Sequence, residues 1–443
     1  MQLKKIQGQM ALAACALLQI STPRAETPEP EWVIETATMI YAEGDGRVKI
    51  FEPGLHATLD LNEDEKIEID VVFDALTGAT PNGAHATNST QTFTSASGSK
   101  TYTAKPGETP LDSSFQDIRL AGGIDYTVNL DRESRITWGA NLSGETDYFS
   151  IGGRINYAQD FNNRNTTLTT GIALSLDILE PTGGVPTSLS AMQIATSGDD
   201  ENEDDDDDGE GGETDNKLTT DMIVGVTQVL NRKTLVQVNY SFGYSSGYLN
   251  DPSKIVSVID PATGLPATSG FFNSSVTNNL PYVYESRPDT RTRQSLYGKI
   301  VRHLEEDVIN LSYRYYQDDW DISSHTVDLK YRYQMEGSYL QPHIRWYDQS
   351  AASFKRHNLQ LGTEVDPATG QVLVEYASND YRLADSRTVT LGLKYGKALG
   401  QNQQFSMRAE WMTQTISEPG VPEAEKTPGL DAVIVQVNYS FVW

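Results

Sequence analysis

The chain ends on Val433-Ile434-Val435-Gln436-Val437-Asn438-Tyr439-Ser440-Phe441-Val442-Trp443, where every odd position is apolar or aromatic and positions 436, 438 and 440 are polar. A period of two marks a strand with one apolar and one wet face. A water-soluble protein gains little from a strand that runs to the carboxyl terminus and stops on an aromatic residue. The closing strand of an outer-membrane barrel does gain, because its outward aromatics sit at the membrane interface. On that reading Val437, Tyr439, Phe441 and Trp443 form a membrane-insertion signal for the barrel assembly machinery. The heptapeptide Val-Gln-Val-Asn-Tyr-Ser-Phe occurs at 236–242 and again at 435–441, as if one wall used one kind of strand twice.

Alternation and turn signals predict about sixteen strands. They fall near 32–43, 47–61, 65–77, 114–130, 133–146, 148–160, 164–178, 217–229, 233–247, 291–303, 307–318, 323–335, 338–349, 384–398, 402–416 and 430–443. In 323–335, Val327, Leu329, Tyr331, Tyr333 and Met335 alternate with Asp328, Lys330, Arg332 and Gln334. Short connections, such as 62–64, 131–133, 162–165 and 336–337, follow even-numbered strands. The long ones, at 78–113, 179–216, 248–290, 350–383 and 417–429, follow odd-numbered strands. A soluble β-solenoid or a secreted β-sandwich is the rival reading, and it has no reason to keep this parity. The expected fold is therefore all-β: a transmembrane, antiparallel, up-and-down barrel of about sixteen strands with long, acidic extracellular loops. It would sit among lipid and lipopolysaccharide in the outer membrane of a Gram-negative bacterium, with both termini periplasmic. Segment 371–383 could add a small hairpin within a loop.

Composition narrows the choice. Beyond position 25 there is no run of 18 apolar residues, which excludes helical spans. The start reads as a secretory signal over 1–25: Lys4 and Lys5, an apolar stretch from Met10 to Ile20, and cleavage after Ala25. The barrel would then occupy 26–443. A lipoprotein cleavage box at Leu12-Ala13-Ala14-Cys15 competes with that reading. Cys15 is the one cysteine, so a chain cut after Ala25 has no disulfide. With 34 basic and 61 acidic residues the net charge is −27, which argues against nucleic acid as a partner.

Residues Asp74-Ala75-Leu76-Thr77-Gly78-Ala79-Thr80-Pro81-Asn82-Gly83-Ala84 follow the alternating stretch from Ile67 to Phe73. With the segment from Arg47 to Pro53 and the aromatic terminus, they resemble the signature of a bacterial family of outer-membrane barrels known only as a domain of unknown function. The resemblance implies a fold and a location. It implies no catalytic residue and no substrate.

The polar partners of the apolar strand positions should face the lumen. The later strands supply Lys299, Arg314, Lys330, Arg332, Arg345, Lys394 and Arg408, with His343 and Glu410 among them. The early strands supply Glu68, Asp70, Asp74, Asp117 and Asp125, with Arg119. A basic arc facing an acidic arc would set a transverse field at a constriction. Charges that pair between neighbouring strands, or a lumen sealed by a folded loop, are the alternatives.

Asp204, Asp206, Asp208 and Asp215, with Gly209, match positions of a calcium loop, so weak calcium is the one cofactor considered. A solvated acidic loop matches the same run. The six histidines are scattered, with no His-x-x-x-His spacing among them. His85, or His325 near Asp318, Asp319 and Asp321, could serve only a remote reading as a rim hydrolase. The expectation is a non-enzymatic, porin-like channel for small hydrophilic solutes. The alternative is a non-conducting scaffold or sleeve for a periplasmic or lipoprotein partner.

Overall fold

The computed structural model describes residues 31–443 apart from 45–46, 96–99, 114, 193–213, 268–280 and 423–424. Residues 1–25, read above as a signal, with Cys15, and Asp204, Asp206 and Asp208 of the calcium template, lie outside the described residues.

Sixteen strands close one antiparallel ring. In chain order they are β1 (Trp32–Glu43), β2 (Lys49–Asp60), β3 (Glu65–Thr77), β4 (Gln116–Asn129), β5 (Ser134–Gly144), β6 (Tyr148–Phe161), β7 (Thr166–Leu179) and β8 (Asp215–Asn231). The second half comprises β9 (Thr234–Gly247), β10 (Thr290–His303), β11 (Val308–Asp318), β12 (Ser323–Met335), β13 (Ser338–Gln349), β14 (Asp385–Ala398), β15 (Gln403–Ser417) and β16 (Leu430–Val442). Each strand pairs with its chain neighbours. β1 pairs with β16 from Val33↔Val442 to Glu43↔Ala432, and that pairing shuts the ring. Trp32 and Trp443 exchange backbone hydrogen bonds of 2.9 and 2.8 Å at the seam.

The period of two sets which face each residue shows. Ile118, Leu120, Leu174, Leu296, Ile344, Leu391, Leu393 and Trp411 stand exposed on the outside. An apolar exterior on a closed, even-numbered ring is the architecture of outer-membrane barrels. The twin heptapeptides do the same work in β9 and β16. Gln237 donates to Asn239 within its strand at 3.3 Å, and Gln436 donates to Asn438 at 2.8 Å, while Val238, Tyr240 and Val437 face out.

The long connections add a second body of structure to the ring. Their described parts fold onto one another at the long-connection end. Ile255–Asp260 of the β9–β10 connection pairs with Tyr282–Tyr284, with Leu265–Pro266 and, in parallel, with Leu359–Gln360 of the β13–β14 connection. Val256, Val258, Val283, Leu359, Val365 and Ala377 are wholly buried there. A second cluster joins Phe93 and Ala84 of the β3–β4 connection to Ile255 and Tyr282. A third seats Leu249, Phe354 and Leu383 on Trp320 and Ile322 at the rim of β11 and β12. The hairpin expected in 371–383 does not form. Val372 instead bridges Val365, Ala377 bridges Ser286, and Tyr381–Leu383 is a 3₁₀ turn capped by Asp380. Partners outside the segment, Val365 earlier in the same connection and Ser286 in the β9–β10 connection, won over pairing within it.

Leu391 is 46% exposed on the outer wall between Ile344 and Trp411. Leu391→Arg should therefore lower the stability of the lipid-refolded protein by about 2–4 kcal/mol if it lies at the bilayer midplane. Lys394→Gln, on the inner face of the same strand, should leave it within about 0.5 kcal/mol. Urea titration of both proteins in vesicles measures the difference.

Candidate functional site: the inner wall and the cap over its mouth

Alternation turns the polar half of each strand inward. Glu68, Asp70 and Asp74 on β3, and Asp117, Arg119 and Asp125 on β4, form one arc. Lys299, Arg314, Lys330, Arg332, Arg345, Lys394 and Arg408 rise on β10 to β15 and form another. In the ring, β3 and β4 stand eight places from β11 and β12. The two arcs thus occupy opposite sectors of the wall.

Within each arc the charges first satisfy one another. Asp70 meets His56 Nδ1 at 2.7 Å, Glu68 meets Lys66 at 2.9 Å, and Asp74 binds Arg119. Asp117 accepts from Thr146 at 3.1 Å. In the basic arc Asp328 is the hub. Its Oδ2 lies 2.8 Å from His343 Nε2 and 2.9 Å from Arg345 Nε, and its Oδ1 lies 3.5 Å from Lys330. His343 Nδ1 lies 2.8 Å from Glu410, whose other cationic neighbour is Arg408 at 3.7 Å. Arg408 also donates to Gln436 at 2.6 Å. Arg332 stacks over Tyr339 at 3.7 Å and Arg314 over Tyr316 at 5.7 Å. Lys299 stands opposite Gln237 and Ser312. Among the described residues Lys394 makes no ion pair.

Several of these contacts skip a strand, which ordinary cross-strand pairing does not allow. His343 on β13 reaches Glu410 on β15 across Gly392 of β14, the residue opposite both. A Cβ at Gly392 would stand 2.8 Å from Glu410 Cγ. Gly139 of β5 likewise lets Arg154 of β6 reach Asp125 of β4, with Nε to Oδ1 at 2.9 Å. Gly243 of β9 separates Asp221 from Arg293, 3.1 Å apart. Asp328, His56, Arg154, the Asp177–Lys217 pair and the Asp221–Arg293 pair were not among the expected site residues. Strand alternation alone places each on the inner face, so the signal was present. What the alternation does not carry is the glycine between partners.

The mouth is bridged by a buried ionic network that joins the folded loops. Arg287 Nε lies 2.7 Å from Glu285, and its Nη2 lies 2.8 Å from Asp380. Arg382 chelates Asp380 and reaches Asp251. Lys254 donates to Thr80 at 2.7 Å and to the Pro81 carbonyl at 2.9 Å. Asp380 is fully buried, and Glu285 and Lys254 nearly so. The three carboxylates and three cations match, as burial requires. They link connections rooted at β3, β9 and β13, widely spaced around the ring. Asp215, the last position of the calcium template, opens β8 and pairs with Leu179 in the wall.

The chain belongs to the family DUF3570, described as a protein of unknown function, whose model matches residues 7–441. No curated protein matches it. Among solved structures it is similar to a bacterial polysaccharide outer membrane secretin at 8% identity, covering 94% of this chain and 98% of that one with a TM-score of 0.42. It is similar also to the CymD monoaromatic hydrocarbon channel, at 8% identity with 94% and 89% covered and a TM-score of 0.37. A third is OccK2 (OpdF) of Pseudomonas aeruginosa in complex with glucuronate, at 9% identity with 94% and 98% covered and a TM-score of 0.39. At such scores nothing that these proteins bind is carried to this chain.

The network gives the cap a pH dependence. Burial alone would raise the carboxyl of Asp380, but Arg382 and Arg287 outweigh it and hold the group well below the usual range. Asp251 behaves alike, with Arg382 and Lys254 overcoming its burial. Carboxyls depressed in the folded state stabilise it above their unfolded value of about 3.9 and lose that contribution as the pH falls below it. Glu285, raised by burial against the pull of Arg287, opposes the trend. Protection factors for hydrogen exchange in 254–260 and 376–384 should therefore be high at pH 7 and fall below about pH 4, while the wall strands stay protected. Asp380→Asn, which strips two buried guanidiniums of a counter-charge, should cost about 3–5 kcal/mol and accelerate exchange at pH 7.

Proposed function

We propose that this is an outer-membrane channel for small hydrophilic solutes, non-enzymatic, whose outer mouth is narrowed by the folded loops. One observation carries the reading. Charged side chains on the inner face stay open to solvent, Arg345 at 42%, Lys330 at 33% and Arg408 at 33% of their side-chain surface. A lumen filled by the described parts of the loops would bury them. Sixteen strands are wide enough to leave an aqueous interior. The basic arc, with Lys330, Arg332, Arg345 and Lys394 against Asp328 and Glu410, favours anions. Loop carboxylates more than about 8 Å from the constriction are screened at physiological salt.

The cap favours a second reading, in which the barrel is a non-conducting sleeve for a periplasmic or lipoprotein partner. Planar-bilayer recording separates the two. The channel reading expects small conductance with weak anion preference, larger conductance in Asp380→Asn, and a shift of reversal potential toward cations when Arg332 and Arg345 become Glu. Silence in both the unaltered protein and Asp380→Asn would establish the sleeve.

The long-connection end is read as extracellular and both termini as periplasmic. An epitope inserted at Thr263, in an exposed turn of the β9–β10 connection, should be labelled on intact cells. One inserted at Asn163, in the tight β6–β7 turn, should stay hidden until the outer membrane is permeabilised. Labelling of the Asn163 insert on intact cells would reverse the orientation.

A further inference from the structure

Three connections that are far apart in sequence bring two imidazoles and a carboxylate together inside the cap. His85 comes from the β3–β4 connection, His357 from β13–β14 and Glu425 from β15–β16. Their ligand-capable atoms all lie within 4.8 Å of one another. His85 Nδ1 is 3.9 Å from Glu425 Oε2, and His357 Nε2 is 4.0 Å from the same oxygen. The two rings sit edge to face with centroids 5.7 Å apart.

These distances are too long for hydrogen bonds, and the nitrogens have no other partner. His85 is 6% exposed, yet its Nδ1 has no hydrogen bond, and neither ring nitrogen of the partly buried His357 has one. A buried, unpaired polar atom costs about 1–3 kcal/mol. Two of them, His85 Nδ1 and His357 Nε2, aim at the same Glu425 oxygen and call for a shared occupant. A cavity of about 20 Å³ lies there, lined by His357, Glu425, Asn379 and the neighbours of His85, Ala84 and Ala86. That is room for one water or one ion.

The supports are rigid. The His85 backbone N–H donates to Ser257 at 2.8 Å, and its carbonyl accepts from Gln91 at 3.0 Å. Asn379 donates to the Gly83 carbonyl at 2.6 Å. Gly83 holds φ +96°, and a side chain there would strike Ile255 and Asn379. Behind His357, Glu418 lies 3.9 Å from Nδ1 and is itself anchored by Lys355 at 2.7 Å and by the Thr427 N–H at 2.7 Å. A carboxylate behind the far nitrogen of a ligating histidine is the usual outer partner at a metal.

We propose that His85, His357 and Glu425 bind one divalent transition-metal ion of the zinc class, which ties the three connections together over the barrel mouth. Two nitrogens and one carboxylate oxygen suit zinc, with a water as the fourth ligand. Zinc bonds of about 2.0–2.1 Å put tetrahedral donors about 3.3 Å apart, so His85 Nδ1 and His357 Nε2, at 3.9 and 4.0 Å from the Glu425 oxygen, each close on it by about 0.6–0.7 Å when the ion enters. Calcium prefers oxygen ligands and does not fit this set.

The test uses the full-length protein refolded in detergent and stripped with EDTA. Titration with Zn²⁺ against a chromophoric chelator should give one tight equivalent, and Co²⁺ should give the visible bands of a four-coordinate site. A tenfold excess of Ca²⁺ should displace neither. His85→Ala/His357→Ala should abolish the equivalent. Glu425→Gln, at a partly exposed position, should weaken it at least ~10-fold, with heat-modifiable gel mobility unchanged. Zn²⁺ should slow hydrogen exchange in 84–86 and 355–359 in the unaltered protein only. The proposal is overturned if no stoichiometric ion binds, if Ca²⁺ displaces it, if binding survives both sets of substitutions, or if the bound ion leaves exchange in the cap unchanged.

Discussion

The pairing of the first strand with the last is the constraint on which everything else rests. Lipid offers no hydrogen-bond partner, so a sheet in a membrane must have no edge. Trp32–Glu43 and Leu430–Val442 meet over nearly their whole length and remove the only edges that the sheet would have. Once the ring is shut, each residue has one face to choose. Apolar side chains go out, polar ones go in, and the inner face becomes a surface on which charges must find partners around a curved wall. The ion pairs of Asp328, Asp74 and Asp125 are the local answer to that confinement.

The wall was legible because its information is local. Alternation over ten or so residues, interrupted by turns such as Asn162–Asn165 and Glu336–Gly337, is enough to set a strand and its faces. All sixteen strands appear where the alternation places them, most within two residues at either end. The inward placement of Arg345 or Asp70 follows from the same rule. The partners do not. Nothing in the residues around His343 points to Glu410, 67 positions away, and the contact depends on a missing side chain at Gly392 on the strand between.

The cap was illegible for a related reason. Its short strands, such as Ile255–Asp260, have burial on every side and no alternation to read. Its charges, among them Asp251, Glu285 and Asp380, look in sequence like the solvated carboxylates of an acidic loop. They are instead paired with Arg287 and Arg382, within one connection and between two, beside the buried Lys254. An overall charge of −27 says little about such a place, because net charge ignores who sits beside whom. The two histidines assembled there show the same limit, since His85 and His357 are 272 positions apart and become neighbours only through the ring.

The way the cap is rooted has a consequence for the order of events in assembly. Its parts hang from strands spread around the whole circumference, and several contacts, such as Gly83 with Asn379, span hundreds of residues. Closing loops that long before the wall exists would carry a large entropic penalty. After the seam between the first and last strands has formed, the same segments are already held near one another and the penalty is mostly gone. The cap is thus a late structure that can form only on a complete ring. A chain with a missing or misregistered hairpin would be left with these segments apart, exposing the Val256 and Leu359 surface that a finished barrel keeps hidden.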